Sequence, residues 1–71
     1  MENITIETEF IKLDALLKFA ALTATGGEAK QVIADGMVAV NGETCTMRGR
    51  KIRRGDEVTF AGHTLHVQSA Q

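Results

Sequence analysis

The spacing of hydrophobic residues changes period along the chain, and each period predicts a different element. Residues 4–8 alternate β-branched apolar positions with polar ones, which is typical of a short strand with one buried face. From residue 13 the apolar positions recur at i, i+3, i+4 and i+7, which predicts a helix over residues 13–21. Its stripe consists of Leu13, Leu16, Leu17 and Ala20.

A second helix is predicted between Thr25 and Gly36. Thr25 and Glu28 have the spacing of a capping box, in which the Thr25 hydroxyl accepts from the Glu28 N–H and the Glu28 carboxylate accepts from the Thr25 N–H. Gly36 can end the helix because glycine adopts positive φ without a Cβ clash. Two short helices joined by so brief a connector should pack against each other as a pair.

The second half of the chain alternates in period two between tight turns. Asn41-Gly42 and Ala61-Gly62 are expected at the tips of hairpins, because both positions of such turns need positive φ. The last residues, 68–71, are expected to fray. The predicted order is β-α-α-β-β followed by a terminal hairpin. This is an α+β fold, with two helices on a small, mostly antiparallel sheet, in one domain over residues 1–71.

Charge is distributed unevenly along the chain. The formal net charge is −1, yet five of the seven residues from 48 to 54, here called the basic loop, are cationic, so the rest of the chain carries −6. One basic patch on an otherwise acidic chain indicates an anionic partner that binds in one orientation. Gly49 would let a ligand approach the backbone, and Ile52 is expected to point inward. A solvated turn balanced by neighbouring acidic residues explains the same pattern, and both readings stay open.

The segment Thr25-Gly26-Gly27 is a second, weaker candidate for binding phosphate. The start of a helix presents free N–H groups and the positive end of its dipole, and Lys30 follows one turn later. Taken alone, the segment is explained more simply as an ordinary helix cap, and the Glu28 carboxylate would compete for the same donors.

Other chemistry finds little support in the sequence. His63 and His66 are three residues apart in a predicted strand and should point to opposite faces, and with Cys45 they supply at most three zinc ligands. We expect no metal, no cofactor and no catalytic residues, hence no enzyme. A lone cysteine favours a reducing compartment. No signal peptide or membrane-length apolar run is apparent, so a cytoplasmic protein without membrane contact is expected.

Four pieces of sequence, in order, carry a family resemblance. They are Lys12-Leu13-Asp14-x-x-Leu17, Glu28-Ala29-Lys30-Gln31-x-Ile33, Gly36-x-Val38-x-Val40-Asn41-Gly42 and Lys51-Ile52-x-x-Gly55-Asp56. Together they resemble the alpha-L RNA-binding motif, the module named after ribosomal small-subunit protein S-four, over residues 12–60. Residues 25–30 and 48–51 resemble those of the small, free-standing bacterial members of that family.

The resemblance implies that the helix pair packs on a small sheet and that this face holds structured RNA. By position, Lys12 matches a usual arginine at the first helix start, Lys30 a cation on the second helix, and Lys51 a cation before the final turn. This chain departs from the family at Gly26, where an arginine is frequent, and at Ala15, which replaces a frequent lysine. Backbone N–H groups at Gly26 and Gly27 are hypothesised to replace the lost arginine.

The sequence therefore predicts a non-catalytic protein that binds structured RNA, with ribosomal RNA or a ribosomal particle, including its proteins, as the expected partner. A monomer is expected. The predicted RNA-binding residues are Lys12, Thr25, Gly26, Gly27, Lys30, Arg48, Arg50, Lys51, Arg53 and Arg54. Two alternatives stay open. One is a protein-interaction module that docks its basic loop on an acidic partner, with Phe10 or Phe60 as anchor. The other is an enzyme with a thiol site at Cys45.

Overall fold

A computed structural model describes residues 2–70. In chain order its elements are β1 (Glu2–Ile6), β2 (Ile11–Lys12), α1 (Leu13–Phe19), α2 (Gly26–Ala34), β3 (Val38–Val40), β4 (Glu43–Thr44), β5 (Lys51–Ile52), β6 (Glu57–Phe60) and β7 (His63–Ser69). Neither helix in residues 2–70 is long and apolar enough to cross a membrane.

The strands form two sheets. Five of them lie in the order β1-β7-β6-β3-β4, and β2 pairs with β5 in a separate two-stranded sheet. All pairs are antiparallel except β1 with β7. The predicted α+β class, two helices on a mostly antiparallel sheet, is confirmed. The short β2–β5 pair was not predicted.

One hydrophobic cluster joins the helices to a single face of the larger sheet. The predicted stripe residues Leu13, Leu16 and Leu17 are fully buried. The alternating sheet positions are buried against them, namely Val38, Val40, Val58, Phe60, Leu65 and Val67. Ile52, expected to point inward, is also fully buried, so the basic loop is anchored to this core.

Helix α1 ends at Phe19, two residues before the predicted end. Ala21 adopts φ 60°, and its N–H donates to the Lys18 carbonyl at 3.0 Å. The Leu22 N–H donates to the Leu17 carbonyl at 3.0 Å. This is the Schellman ending that glycine usually provides. Because alanine gives no signal for a helix stop, periodicity alone placed the end too late.

Helix α2 is capped nearly as expected. Thr25 Oγ1 accepts from the Glu28 N–H at 3.1 Å, and Gly36 follows the helix with φ 75°. The Glu28 carboxylate, however, accepts from the Ala24 N–H at 2.9 Å, one residue before the predicted donor. The capping box is therefore present with its return bond shifted by one residue.

Both turn predictions are correct, whereas the prediction of a frayed C-terminus is wrong for residues 68–69. Asn41 and Ala61 have φ 52° and 51°, and the glycine after each is also positive. Gln68 and Ser69 continue β7 and pair with β1. Because β1 comes from the other end of the chain, this pairing leaves no local signal. Residue 71 lies outside the described part of the chain.

Candidate nucleic-acid interface

The backbone of the basic loop lies across the start of α1. The Leu13 N–H donates to the Arg50 carbonyl at 2.9 Å, and the Asp14 N–H donates to the Arg48 carbonyl at 3.1 Å. The first N–H groups of a helix have no partner within the helix, and Lys12 at the N-cap gives no side-chain hydrogen bond. The loop carbonyls thus cap the helix, which fixes the backbone that carries both arginines.

The β2–β5 pair brings two lysines together. Lys12 lies opposite Lys51, and Ile11 lies opposite Ile52. Residues directly opposite in an antiparallel pair have side chains on the same face. Since Ile52 is buried, Lys51 points outward, and Lys12 lies beside it.

Four cations therefore share one exposed region, here called the cationic surface and defined as Lys12, Arg48, Arg50 and Lys51. Within residues 2–70, none of their side chains forms an ion pair. Like charges placed side by side on a strand pair destabilise it. A bound polyanion would relieve this repulsion.

Phe10 supports the far end of the basic loop. The Lys51 ammonium lies 4.9 Å from the centre of the Phe10 ring, and the Arg53 guanidinium carbon lies 5.6 Å from it. Both distances are within the range of cation–π attraction. Arg53 also lies 3.7 Å from Glu9 Oε1, but Glu9 is 87% exposed, so water screens this pair. Phe10 thus orients the side chains of Lys51 and Arg53 and leaves both exposed to solvent.

A hydrogen-bond network ties the end of the basic loop to the first hairpin. Asp56 accepts from the Arg53 N–H at 2.8 Å with one oxygen and from the Asn41 side-chain amide at 3.1 Å with the other. The Asn41 carbonyl oxygen Oδ1 accepts from the Glu57 N–H at 2.9 Å. The sequence predicts Asn41 only as a turn residue within the family motif. Its additional role depends on a contact across fifteen residues.

The remaining predicted residues lie in two other places. Arg54 is exposed beside Arg53, at the end of the basic loop. Thr25, Gly26 and Gly27 form the start of α2, and Lys30 lies exposed on that helix. Within residues 2–70, no hydrogen bond or ion pair links this second group to the cationic surface.

The residues behind the alternative hypotheses have ordinary structural roles. Cys45 is buried, and its Sγ lies 3.7 Å from the Met47 carbonyl oxygen. His63 Nδ1 lies 2.6 Å from Glu2 Oε2.

His66 is half-exposed, and its Nδ1 lies 3.6 Å from Glu57 Oε2. Phe60 is 8% exposed, so it is unavailable as an interaction anchor. Residues 2–70 contain no cluster of three potential metal ligands.

Comparison with known proteins agrees with this architecture. A family model described as the S4 domain matches residues 4–68. The chain belongs to the S4 domain family. A solution structure of YbcJ from Escherichia coli, reported to reveal an alpha-L motif involved in RNA binding, superposes with a TM-score of 0.73 at 35% identity, over 96% of this chain and 87% of that one. The alpha-L resemblance is thereby confirmed.

Curated relatives of this S4 domain match along most of their length. A putative RNA-binding protein YbcJ of Escherichia coli (strain K12) is 40% identical over 57 residues, covering 80% of this chain and 81% of the relative. A probable ribosome maturation protein RlbA of Bacillus subtilis (strain 168) is 42% identical over 59 residues, covering 83% of each. The small ribosomal subunit protein uS4 of Sphingopyxis alaskensis is 40% identical over 49 residues, which are 69% of this chain but 24% of that protein.

Proposed function

We propose that this S4 domain is a non-catalytic protein that binds structured RNA through the cationic surface and the adjoining Arg53 and Arg54. The observation that carries the proposal is the fixed position of the basic loop. Two backbone hydrogen bonds to α1 and the β2–β5 pair hold four unpaired cations on one exposed region. A fixed backbone lowers the entropic cost of placing these side chains on phosphate oxygens, which arginine forks match in geometry.

Recognition by shape and phosphates suits this surface better than recognition of single-stranded bases. Single-strand binders stack bases on exposed aromatic rings. This chain has three phenylalanines. Phe60 is buried, Phe10 lies beneath two cations, and the exposed Phe19 lies at the end of α1, whereas the basic loop covers the start of that helix. A-form grooves offer mainly phosphates and 2′-hydroxyls to side chains. The names of two relatives, a putative RNA-binding protein and a probable ribosome maturation protein, support ribosomal RNA or a ribosomal particle as the target.

The start of α2 serves in this proposal as a second phosphate contact. Gly26 and Gly27 leave open space above the backbone, since a Cβ at Gly26 would meet nothing within 4 Å. Lys30, exposed one turn later, would face the same anion. The Glu28 carboxylate reaches back to the Ala24 N–H, at the rim of this region, and weakens the contact. The cationic surface therefore contributes most of the affinity.

The test is binding of purified small-subunit ribosomal RNA by Arg50→Gln, with Lys18→Gln as matched control. Lys18 is an exposed cation in the last turn of α1, whereas the basic loop covers the start of that helix. The loss of one phosphate contact reduces the steepness of log affinity against log salt concentration by about 0.9. At 0.1 M salt this corresponds to an affinity about eightfold lower. We expect this loss for Arg50→Gln and little change for Lys18→Gln. Equal losses would contradict the proposal.

A competition experiment separates RNA from an acidic protein partner. Polyglutamate offers the same charge as RNA without the spacing and rigidity of phosphates in a folded duplex. At equal charge concentration, structured RNA should displace a labelled RNA hairpin far better than polyglutamate does. Equal displacement would favour the protein-interaction alternative.

A further inference from the structure

Strand β1 has one edge that no other strand covers. It lies at the end of the five-stranded sheet and pairs only with β7 in the described part of the chain. The Ile6 carbonyl accepts from the Ala70 N–H at 3.0 Å, so the backbone of Ile6 faces the β7 side. Backbone groups alternate along a strand, so the N–H and C=O groups of Asn3 and Thr5 point away from the sheet. Both residues are exposed.

This edge lacks the usual protection against pairing with another chain. Exposed edges commonly carry lysine, proline or a bulge. The sequence of β1, Glu-Asn-Ile-Thr-Ile, contains neither lysine nor proline, and its register with β7 runs without interruption. The other end of the sheet is protected differently, because β4 is only two residues long. Of the two edges of the sheet, the edge at β1 is therefore the longer and the one without such protection.

An open groove lies at the C-terminal end of β1. The groove residues, here called the edge groove, are Thr5, Ile6, Glu7, Thr8, Ile11 and Phe19. Phe19, the last residue of α1, is 63% exposed, which is unusual for phenylalanine. Ile6 lies on the core-facing side of β1 and Thr5 on the opposite side, and the exposed Glu7 directly follows the strand. A strand added here would meet apolar side chains on one face and polar ones on the other.

The charges around the edge groove discriminate between possible occupants. Glu7 is the single charged residue among those lining the groove, and within residues 2–70 its side chain has no partner. Its carboxylate would repel RNA. It would also disfavour a second copy of β1, because two paired copies would bring two acidic edges together. A strand in which apolar residues alternate with cationic ones fits both the acidic charge of Glu7 and the apolar and polar faces of the edge groove.

We propose that β1 and the edge groove bind an extended segment of a partner protein in which apolar residues alternate with lysine or arginine. The segment adds a strand to the sheet by hydrogen bonds to Asn3 and Thr5. Its apolar side chains pack on Ile11 and Phe19, and a cation pairs with Glu7. The edge groove shares no residue with the cationic surface, although Ile6, Glu7 and Thr8 also line a second pocket with Arg53 and Arg54. The proposal does not depend on RNA binding.

The test uses an eight-residue peptide of alternating valine and lysine, titrated into the ¹⁵N-labelled protein without RNA. We expect shifts in the amide signals of Asn3, Thr5 and Glu7. Glu7→Lys should weaken binding about fivefold, since it replaces one exposed attraction by a repulsion. Glu43→Lys, the same change on the exposed edge strand β4, should leave affinity unchanged. Equal effects of the two variants would overturn the proposal.

Three further measurements exclude other interpretations. A peptide whose lysines are replaced by glutamate should not bind, and equal binding would refute charge recognition. N-methylation of alternate peptide amides removes the donors toward β1, and undiminished binding would refute strand addition without requiring any change to the protein. If the same amides shift with protein concentration alone, a second copy of the chain is the occupant and the proposal is wrong.

Discussion

Two hairpin turns of nearly identical geometry allow a sharp test of what Asn41 contributes. Asn41-Gly42 has φ values of 52° and 84°, and Ala61-Gly62 has 51° and 82°. Only the first turn bears side-chain hydrogen bonds, from Asn41 to Asp56 and from the Glu57 N–H to Asn41. Changing the first residue of each turn to glycine keeps the backbone conformation. The two variants should therefore shift stability in opposite directions.

The expected magnitudes follow from these contacts. The two side-chain hydrogen bonds of Asn41 contribute about 0.5–1.5 kcal/mol each, and relief of positive φ returns only part of their sum because asparagine tolerates positive φ better than alanine. Asn41→Gly should therefore lower the free energy of unfolding by about 1–2 kcal/mol. Positive φ costs a residue with a Cβ about 1–2 kcal/mol. Glycine avoids this cost, but its greater conformational freedom in the unfolded chain offsets about 0.4–1 kcal/mol of the gain. Ala61→Gly should therefore raise the free energy of unfolding by about 0.5–1 kcal/mol.

Urea denaturation followed by circular dichroism measures both changes. Thermal melts should agree, at about 4–8 °C for each kcal/mol in a domain of this size. The amide signal of Arg53 adds a local measurement, because its N–H donates to Asp56 and should lose protection from hydrogen exchange in Asn41→Gly. If both variants shift stability in the same direction, the hydrogen bonds of Asn41 do not hold the end of the basic loop.

Three other substitutions test separate features. Ala21→Gly, at φ 60°, should raise the free energy of unfolding in urea by about 0.5–1 kcal/mol, whereas Ala34→Gly in α2 should lower it. If both variants lower the free energy of unfolding, the Schellman ending at Ala21 is wrongly assigned. Phe10→Leu removes the ring beneath Lys51 and should lower RNA affinity, measured by fluorescence anisotropy, about two- to fivefold. Gly26→Arg has room for its side chain and should raise RNA affinity and steepen its salt dependence. Unchanged affinity would exclude the start of α2 from the interface.

Features determined by local chemistry were predictable from the sequence. Positive-φ pairs, the Thr25 cap and the stop at Gly36 each depend on a few neighbouring residues, and all are found where expected. The inward position of Ile52 followed from an apolar residue within a cationic run, and the residue is fully buried. The basic loop itself was evident from composition.

Features that depend on distant contacts were not predictable in this way. The β2–β5 pair joins residues 11–12 to residues 51–52, and each strand is too short for a periodic signal. The parallel pairing of β1 with β7 joins the two ends of the chain. The Asn41–Asp56 contact likewise depends on the fold. Sequence therefore indicated which residues are cationic, and the structure indicates which of them share a surface.

The most direct test of RNA binding by the basic loop is crosslinking in cells that express the protein, followed by sequencing of the bound RNA. Wild type is compared with a variant in which Arg48, Arg50, Lys51, Arg53 and Arg54 are all glutamine. All five side chains are exposed, so the variant should remain folded by circular dichroism. We predict that wild type enriches a defined, structured RNA and that the folded variant loses it. Recovery of the same RNA by both proteins would contradict the account.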